Sequence, residues 1–541
     1  MKKKLILVLS ILCIIAIAVT GCGKSEDDPL KAKCHNGVMV GQEENGVVSF
    51  LGVPYATPPV GDLRWKAPVA APESDEEIIC DDFGYTALQY EWPTEPASYE
   101  EKNEDCLTLN IWKGKDAGDD PKAVMVWFHG GSHAWGGTAD PIYNGQKFVE
   151  EHPDVILVTA NYRLGLMSWP DFSDFPGGEE YTDVNLGIRD HIMALEWVQQ
   201  NIASFGGDPD NVTIFGESAG GGSVTALLMS PMAEGLFNKV IAESGTTSPN
   251  VSTRDDAKEY AKVIAEAAGC ETMDELLEIS GDEWVELDWD NELGDASCGV
   301  VADGEVVPYP EDMEAALQAA AERGVILMHG TNSDEWNYFM VDQFGDTKEE
   351  KFANWKSGLD DLWDSTYESL DSDKQGLMDE FYELASQRVA DEYADDADVK
   401  EALIESSFRT GQWRYSHTQL ADVYSKYGGE QYVYYWTVPS TSDDYYKSAC
   451  HAVELAYVFN NLEDTIYTGE NPDEKTAERA HTAWANFAKT GNPSIDEAEW
   501  LPYDTTDRNT MVMSLDGWKT EADPNGRERE IIEEVMGPLY K

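Results

Sequence analysis

The chain has 541 residues, 42% of them hydrophobic, and carries 103 acidic against 38 basic side chains for a formal net charge of −65. That much apolar material excludes a disordered chain and is ample for a large buried core. The acidity argues against nucleic acid or an anionic membrane surface as a partner.

The first segment has to be set apart before the fold is considered. Lys2, Lys3 and Lys4 precede an apolar run from Leu5 to Val19 that only Ser10 interrupts, and Val19-Thr20-Gly21-Cys22 follows. A basic start, a short apolar stretch and small residues before a cut describe a secretory signal over 1–21, too short for a comfortable transmembrane span. The last four residues resemble a bacterial lipobox, which implies lipidation of Cys22 and residues 22–30 as a polar tether. A lipid would then hold the protein at the extracytoplasmic face of the membrane.

Along the remainder, 31–541, no linker rich in Pro, Gly or Ser is long enough to divide the chain. Residues 36–68 read as a strand-rich edge around Val47–Pro54. Short and nearly continuous apolar runs follow at Val124–Phe128, Val155–Thr159, Val212–Phe215, Lys239–Ala242 and Val325–Met328. Strands of that kind are buried on both faces. Between the second and third runs, Asn185–Ile202 has helical periodicity, with Leu186, Ile188, Ile192 and Leu195 near one face. The alternation predicts an α/β fold with a mostly parallel central sheet covered by helices. Two further stretches, 252–296 and 349–427, read as helical insertions that would form a cap over the strand ends.

Gly216-Glu217-Ser218-Ala219-Gly220 fits G-x-S-x-G. It follows a strand and opens a small-residue helix from Ala219 to Leu228, the context that makes such a serine a nucleophile on a sharp turn. Glycines at 216 and 220 keep the neighbouring positions free of clash, and the helix N-terminus favours developing negative charge. His129-Gly130-Gly131-Ser132-His133 after Val124–Phe128 resembles an HGGG-type loop, so the amides of Gly131, Ser132 and Ala219 are the candidate oxyanion donors. Ser132 stands where a third glycine is usual.

These segments occur with others: Phe50-Leu51-Gly52-Val53-Pro54, Glu104-Asp105-Cys106-Leu107, Asn161-Tyr162-Arg163-Leu164-Gly165, Phe205-Gly206-Gly207-Asp208-Pro209 and Trp484–Pro493. Together they resemble the type-B carboxylesterases, which include para-nitrobenzyl esterases, fungal lipases and cholinesterases, over residues 36–505. The resemblance implies an α/β-hydrolase fold, cleavage of carboxylic esters through an acyl-enzyme, and no metal or organic cofactor. In this fold class the acid and then the base follow the serine in the chain. His451, in Cys450-His451-Ala452-Val453-Glu454-Leu455, matches the family's base loop. Gly330-Thr331-Asn332-Ser333-Asp334-Glu335 matches its acid loop, which assigns Glu335 with Asp334 as the alternative. Trp336 follows where the family has glycine. The resemblance also implies a disulfide between Cys80 and Cys106, and it leaves Cys34, Cys270, Cys298 and Cys450 unassigned. Trp92 does not sit at the spacing of the cholinesterases' choline-binding tryptophan. Family members that have lost the nucleophile act in adhesion, and that alternative is disfavoured because Ser218, Glu335 and His451 are all present. A narrower lipase or feruloyl-type esterase stays open, as does the oligomeric state.

Overall fold

In the computed structural model, residues 28–89, 101–118, 120–286, 298–389, 396–464 and 466–540 are described. The signal segment, Cys22, Trp92 and parts of both helical insertions (287–297 and 390–395) lie outside the described residues.

Among the described residues, fourteen strands occur in chain order: β1 Lys31–Cys34, β2 Gly37–Val40, β3 Gln42–Glu44, β4 Val47–Pro54, β5 Glu77–Ile79, β6 Thr108–Gly114 and β7 Lys122–Phe128. They continue as β8 Val155–Ala160, β9 Gly207–Glu217, β10 Lys239–Glu243, β11 Ile326–Asn332, β12 Gln431–Trp436, β13 Asn509–Ser514 and β14 Gly517–Ala522. Eleven form one sheet in the order β14-β13-β12-β11-β10-β9-β7-β8-β6-β4-β3, while β1, β2 and β5 form a small second sheet. The seven strands from β13 to β8 are mutually parallel, and antiparallel neighbours extend both edges. This is the mostly parallel sheet that the alternation of runs predicts, in the α/β-hydrolase architecture that the resemblance implies.

Strand alternation sorts the core onto two faces. Val124, Val126 and Phe128 of β7 pack into one buried cluster, and Met125 and Trp127 into the other. The helix Leu186–Asn201 covers the first face, with Leu186, Ile188, Ile192 and Leu195 in that cluster. The helix Glu474–Thr490 covers the second with Ala480, Trp484 and Phe487. The expected insertions are helical where described: Arg254–Ala267, Met273–Glu278 and Gly281–Glu286 in the first, and Lys348–Ser369, Ser372–Arg388 and Ala397–Lys426 in the second.

One ion pair explains part of the Asn161–Gly165 segment. Arg163 donates from Nε and Nη2 to Asp190 at 2.8 and 2.7 Å, and from Nη1 to the Lys66 carbonyl. Both side chains are buried, so this fork ties the loop after β8 to the helix Leu186–Asn201.

The Cys80–Cys106 disulfide is not formed, and all six cysteines of the described residues are free thiols. Cys80 follows β5 and pairs by its backbone with Val40 and Leu51, its sulfur 3.8 Å from that of Met39. Cys106 lies beside Tyr55, whose amide bonds to Leu107, and shares a small cavity with Ala87. The backbone of Cys80 is thus held at Leu51, whereas the residue after Cys106 is held at Tyr55, beyond the irregularity that breaks the register of β4 between Phe50 and Val53. Different sections of the chain therefore hold the two sulfurs, and the pairing implied by resemblance is not made.

Candidate active site

β9 ends at Glu217, and Ser218 turns the chain into the helix Ala219–Met229 with φ 55° and ψ −120°. That positive φ is strained for a non-glycine residue and is held by its neighbours. The Ser218 amide donates to the Glu243 carbonyl at 2.8 Å, and its carbonyl accepts from the Gly222 amide at 2.9 Å. A Cβ on Gly216 would lie 2.5 Å from the Gly220 carbonyl carbon, and one on Gly220 would run into the Phe128 carbonyl oxygen. Both glycines are therefore demanded by the close approach of β7, β9 and the helix.

The loop after β7 lies across this turn. A Cβ on Gly130 would sit 3.2 Å from the Ser218 Cβ. Gly131, Ser132 and His133 take φ values of 94°, 54° and 55°, and the Gly131 carbonyl accepts from Ala134 and Trp135. Among the described residues, the amides of Gly131, Ser132 and Ala219 donate to no protein acceptor. His133 anchors the loop to the helix, its Nε2 2.8 Å from Ser223 Oγ. Burial pushes this imidazole down to about 4, so it stays neutral.

Glu335 follows β11 in a short turn and is fully buried. Its Oε2 accepts from His451 Nδ1 at 2.7 Å, and its Oε1 accepts from the Asn332 amide at 2.7 Å. Asp334, the alternative acid, points elsewhere: it accepts from Ser333 Oγ and lies 3.8 Å from Arg388. The two loops are stitched together by Asp334 N to Ala449 O and by His451 N to Glu335 O. Positions 218, 335 and 451 thus converge at the carboxyl end of the sheet, where ligands of open α/β sheets bind. Ser218 and His451 line one cavity of about 240 Å³ together with Gly131, Ser132 and Glu217. No hydrogen bond among the described residues joins Ser218 Oγ to the imidazole. Instead His451 Nε2 faces Glu217 Oε1 at 3.1 Å.

That contact sets the electrostatics. Burial by itself would lower the His451 pKa, but the carboxylates of Glu217 and Glu335 outweigh it and raise the imidazole to about 9. Glu217 is in turn raised by burial, against the pull of His451. Two more buried carboxyls surround the pair. Glu454 accepts from Asn332 Nδ2 at 2.6 Å, and Glu243 accepts from Trp484 Nε1 at 2.9 Å; burial raises the pKa of each. Sequence reasoning gave these glutamates no role, although Glu217 and Glu454 lie inside the quoted motifs. Their signal was available, since a glutamate next to a candidate nucleophile or three residues past a candidate base is conspicuous. Their burial was not. Cys450 is fully buried as well, and its thiol is pushed well above the ordinary range.

Residues 28–531 match the family model described as the carboxylesterase family. The chain belongs to the carboxylesterase family. It is 33% identical over 519 residues to the para-nitrobenzyl esterase of Bacillus subtilis, covering 91% of this chain and 96% of that one. It is 31% identical over 492 residues to the liver carboxylesterase of Sus scrofa, covering 84% and 83%. Among solved structures, a thermophilic para-nitrobenzyl esterase superposes with a TM-score of 0.75 at 29% identity, over 93% of this chain and all of that one. A Geobacillus stearothermophilus carboxylesterase gives 0.74 at 30% identity, over 93% and 99%. As a carboxylesterase, the protein is a carboxylic ester hydrolase.

Proposed function

We propose that this carboxylesterase cleaves its esters with Ser218 as nucleophile, His451 as general base and acid, and Glu335 as the group that orients the imidazole. The observation that carries the reading is the 2.7 Å bond from His451 Nδ1 to the buried Glu335, at the edge of the cavity that Ser218 lines. A carboxylate at Nδ1 fixes the tautomer, which leaves Nε2 as the atom that takes the serine proton. A small change of the Ser218 rotamer, or arrival of substrate, is what closes that bond; such contacts often tighten only in the substrate complex. The unoccupied amides of Gly131, Ser132 and Ala219 receive the oxyanion of the tetrahedral intermediate, each typically worth about 10²–10³ in rate. His451 then protonates the leaving alkoxide, and water repeats the sequence on the acyl-enzyme.

The test is a panel of p-nitrophenyl esters from acetate to laurate, read on the wild type and on Ser218→Ala. Loss of at least about 10³-fold in kcat is expected; equal turnover by both proteins removes the assignment. A steep fall beyond acyl chains of four to six carbons identifies an esterase, and its absence a lipase. The lipobox-like Val19-Thr20-Gly21-Cys22 supports a protein anchored by lipid outside the cytoplasmic membrane. Metabolic labelling with a palmitate analogue, lost in Cys22→Ser, checks this.

A further inference from the structure

Ser218 stands between two cavities of different character. The first, about 240 Å³, is walled by Tyr143, Tyr338, Phe339, Leu455 and Tyr467, and His451 opens into it. The second, about 590 Å³, is bordered by Ser132 and Ala219 on the Ser218 side and by Thr246, Thr247, Asn250 and Arg409 farther out; His451 is not among its described lining residues. A leaving alkoxide takes its proton from His451, so the alcohol half of the ester belongs in the aromatic cavity. The acyl half then extends past the oxyanion amides into the larger chamber. This placement rests on the reading of Ser218 and His451 given above.

The chamber is unusual for so acidic a protein. None of its described lining residues is Asp or Glu, in a chain with 103 of them. Its one guanidinium, Arg409, makes no ion pair among the described residues. It donates from Nη1 to Gln412 Oε1 at 3.0 Å and lies 4.5 Å from the centre of the Trp336 ring. Trp336, the residue that stands where the family has glycine, is held by Phe339 and Trp413, with ring centres 4.4 and 5.8 Å away. The tryptophan thus backs the arginine, and four of its five N–H donors make no hydrogen bond among the described residues. A planar, partly dehydrated fork with free donors is suited to a carboxylate.

We propose that Arg409 binds a carboxylate on the acyl half of the substrate, so that the enzyme prefers esters of dicarboxylic or otherwise acid-bearing acyl groups over neutral ones of equal length. The protein's net negative charge opposes such substrates only at long range, where salt screens it beyond about 8 Å.

The experiment compares 4-nitrophenyl hemiesters of dicarboxylic acids from succinate to suberate with neutral 4-nitrophenyl esters of the same length, each corrected for spontaneous hydrolysis. At the best length, kcat/KM for the acidic ester exceeds that of its neutral partner. Arg409→Gln lowers this acidic-to-neutral ratio about 10- to 100-fold, the range of a charge-assisted hydrogen-bonded pair, mainly through KM. Arg409→Lys recovers part of it. Arg409 is only half-buried on a helix, and a melting curve on each variant checks that it is folded. A wild-type ratio of one or less at every length, or a ratio that Arg409→Gln leaves unchanged, overturns this inference and leaves the serine esterase standing. Failure to hydrolyse any ester, acidic or neutral, overturns both.

Discussion

Replacing Glu217 by Gln tests the electrostatics of the site with almost no change of shape. His451 must be neutral to take the serine proton, so kcat/KM rises with pH through the imidazole's pKa in the free enzyme. With that pKa raised to about 9, the acid limb of the wild-type profile lies on the alkaline side of neutrality. Glu217 Oε1 is 3.1 Å from Nε2, and at an effective dielectric of about 20 two unit charges at that distance attract by roughly 5 kcal/mol, or nearly 4 pH units. Glu217 is itself raised to about 8 by burial, so it holds only part of a charge near neutrality and its share is smaller. The acid limb in Glu217→Gln is expected to fall by about 1–2 pH units. The assay is kcat/KM for p-nitrophenyl butyrate from pH 5 to 10 in buffers of constant ionic strength. An acid limb that stays in place, or moves to higher pH, refutes the account of how Glu217 acts on His451.

Gly220→Ala forces a methyl group against the Phe128 carbonyl and displaces the turn that presents Ser218; kcat should drop by about 10²-fold, the scale of a small misplacement of reacting groups, and the melting temperature should fall. Asp190→Asn leaves the buried Arg163 guanidinium uncompensated, at a cost of about 3–5 kcal/mol that a shift of the urea midpoint measures. An unchanged midpoint would count against the role given to that pair. For the thiols, a protein beginning at residue 23 and denatured without reductant should titrate six of them. Recovery of a Cys80–Cys106 cross-linked peptide from a non-reducing digest contradicts the structure.

The sequence by itself determined the sheet and the turn that carries the serine. Short apolar runs fix parallel buried strands because both faces must be covered, and G-x-S-x-G between a strand and a helix has few other ways to fold. All five apolar runs proved to be strands, and the helix Leu186–Asn201 matches its periodicity within a residue at each end. The aromatic strand Gln431–Trp436 and the closing pair Asn509–Ser514 and Gly517–Ala522 were not singled out, since an apolar and aromatic run of six residues is equally compatible with a buried helix until its neighbours are known. Other matters only the tertiary structure decided, because they depend on which distant segments meet. Glu335 and Asp334 are adjacent in the chain and chemically alike; the fold buries one against His451 and turns the other toward Arg388. Cys80 and Cys106 both carry sulfur, yet in the folded chain each stays a free thiol. The charge on a buried carboxyl or imidazole is set by burial and by neighbours within a few ångströms, and the gathering of Glu217, Glu335 and Glu454 around His451 is a property of the folded chain alone.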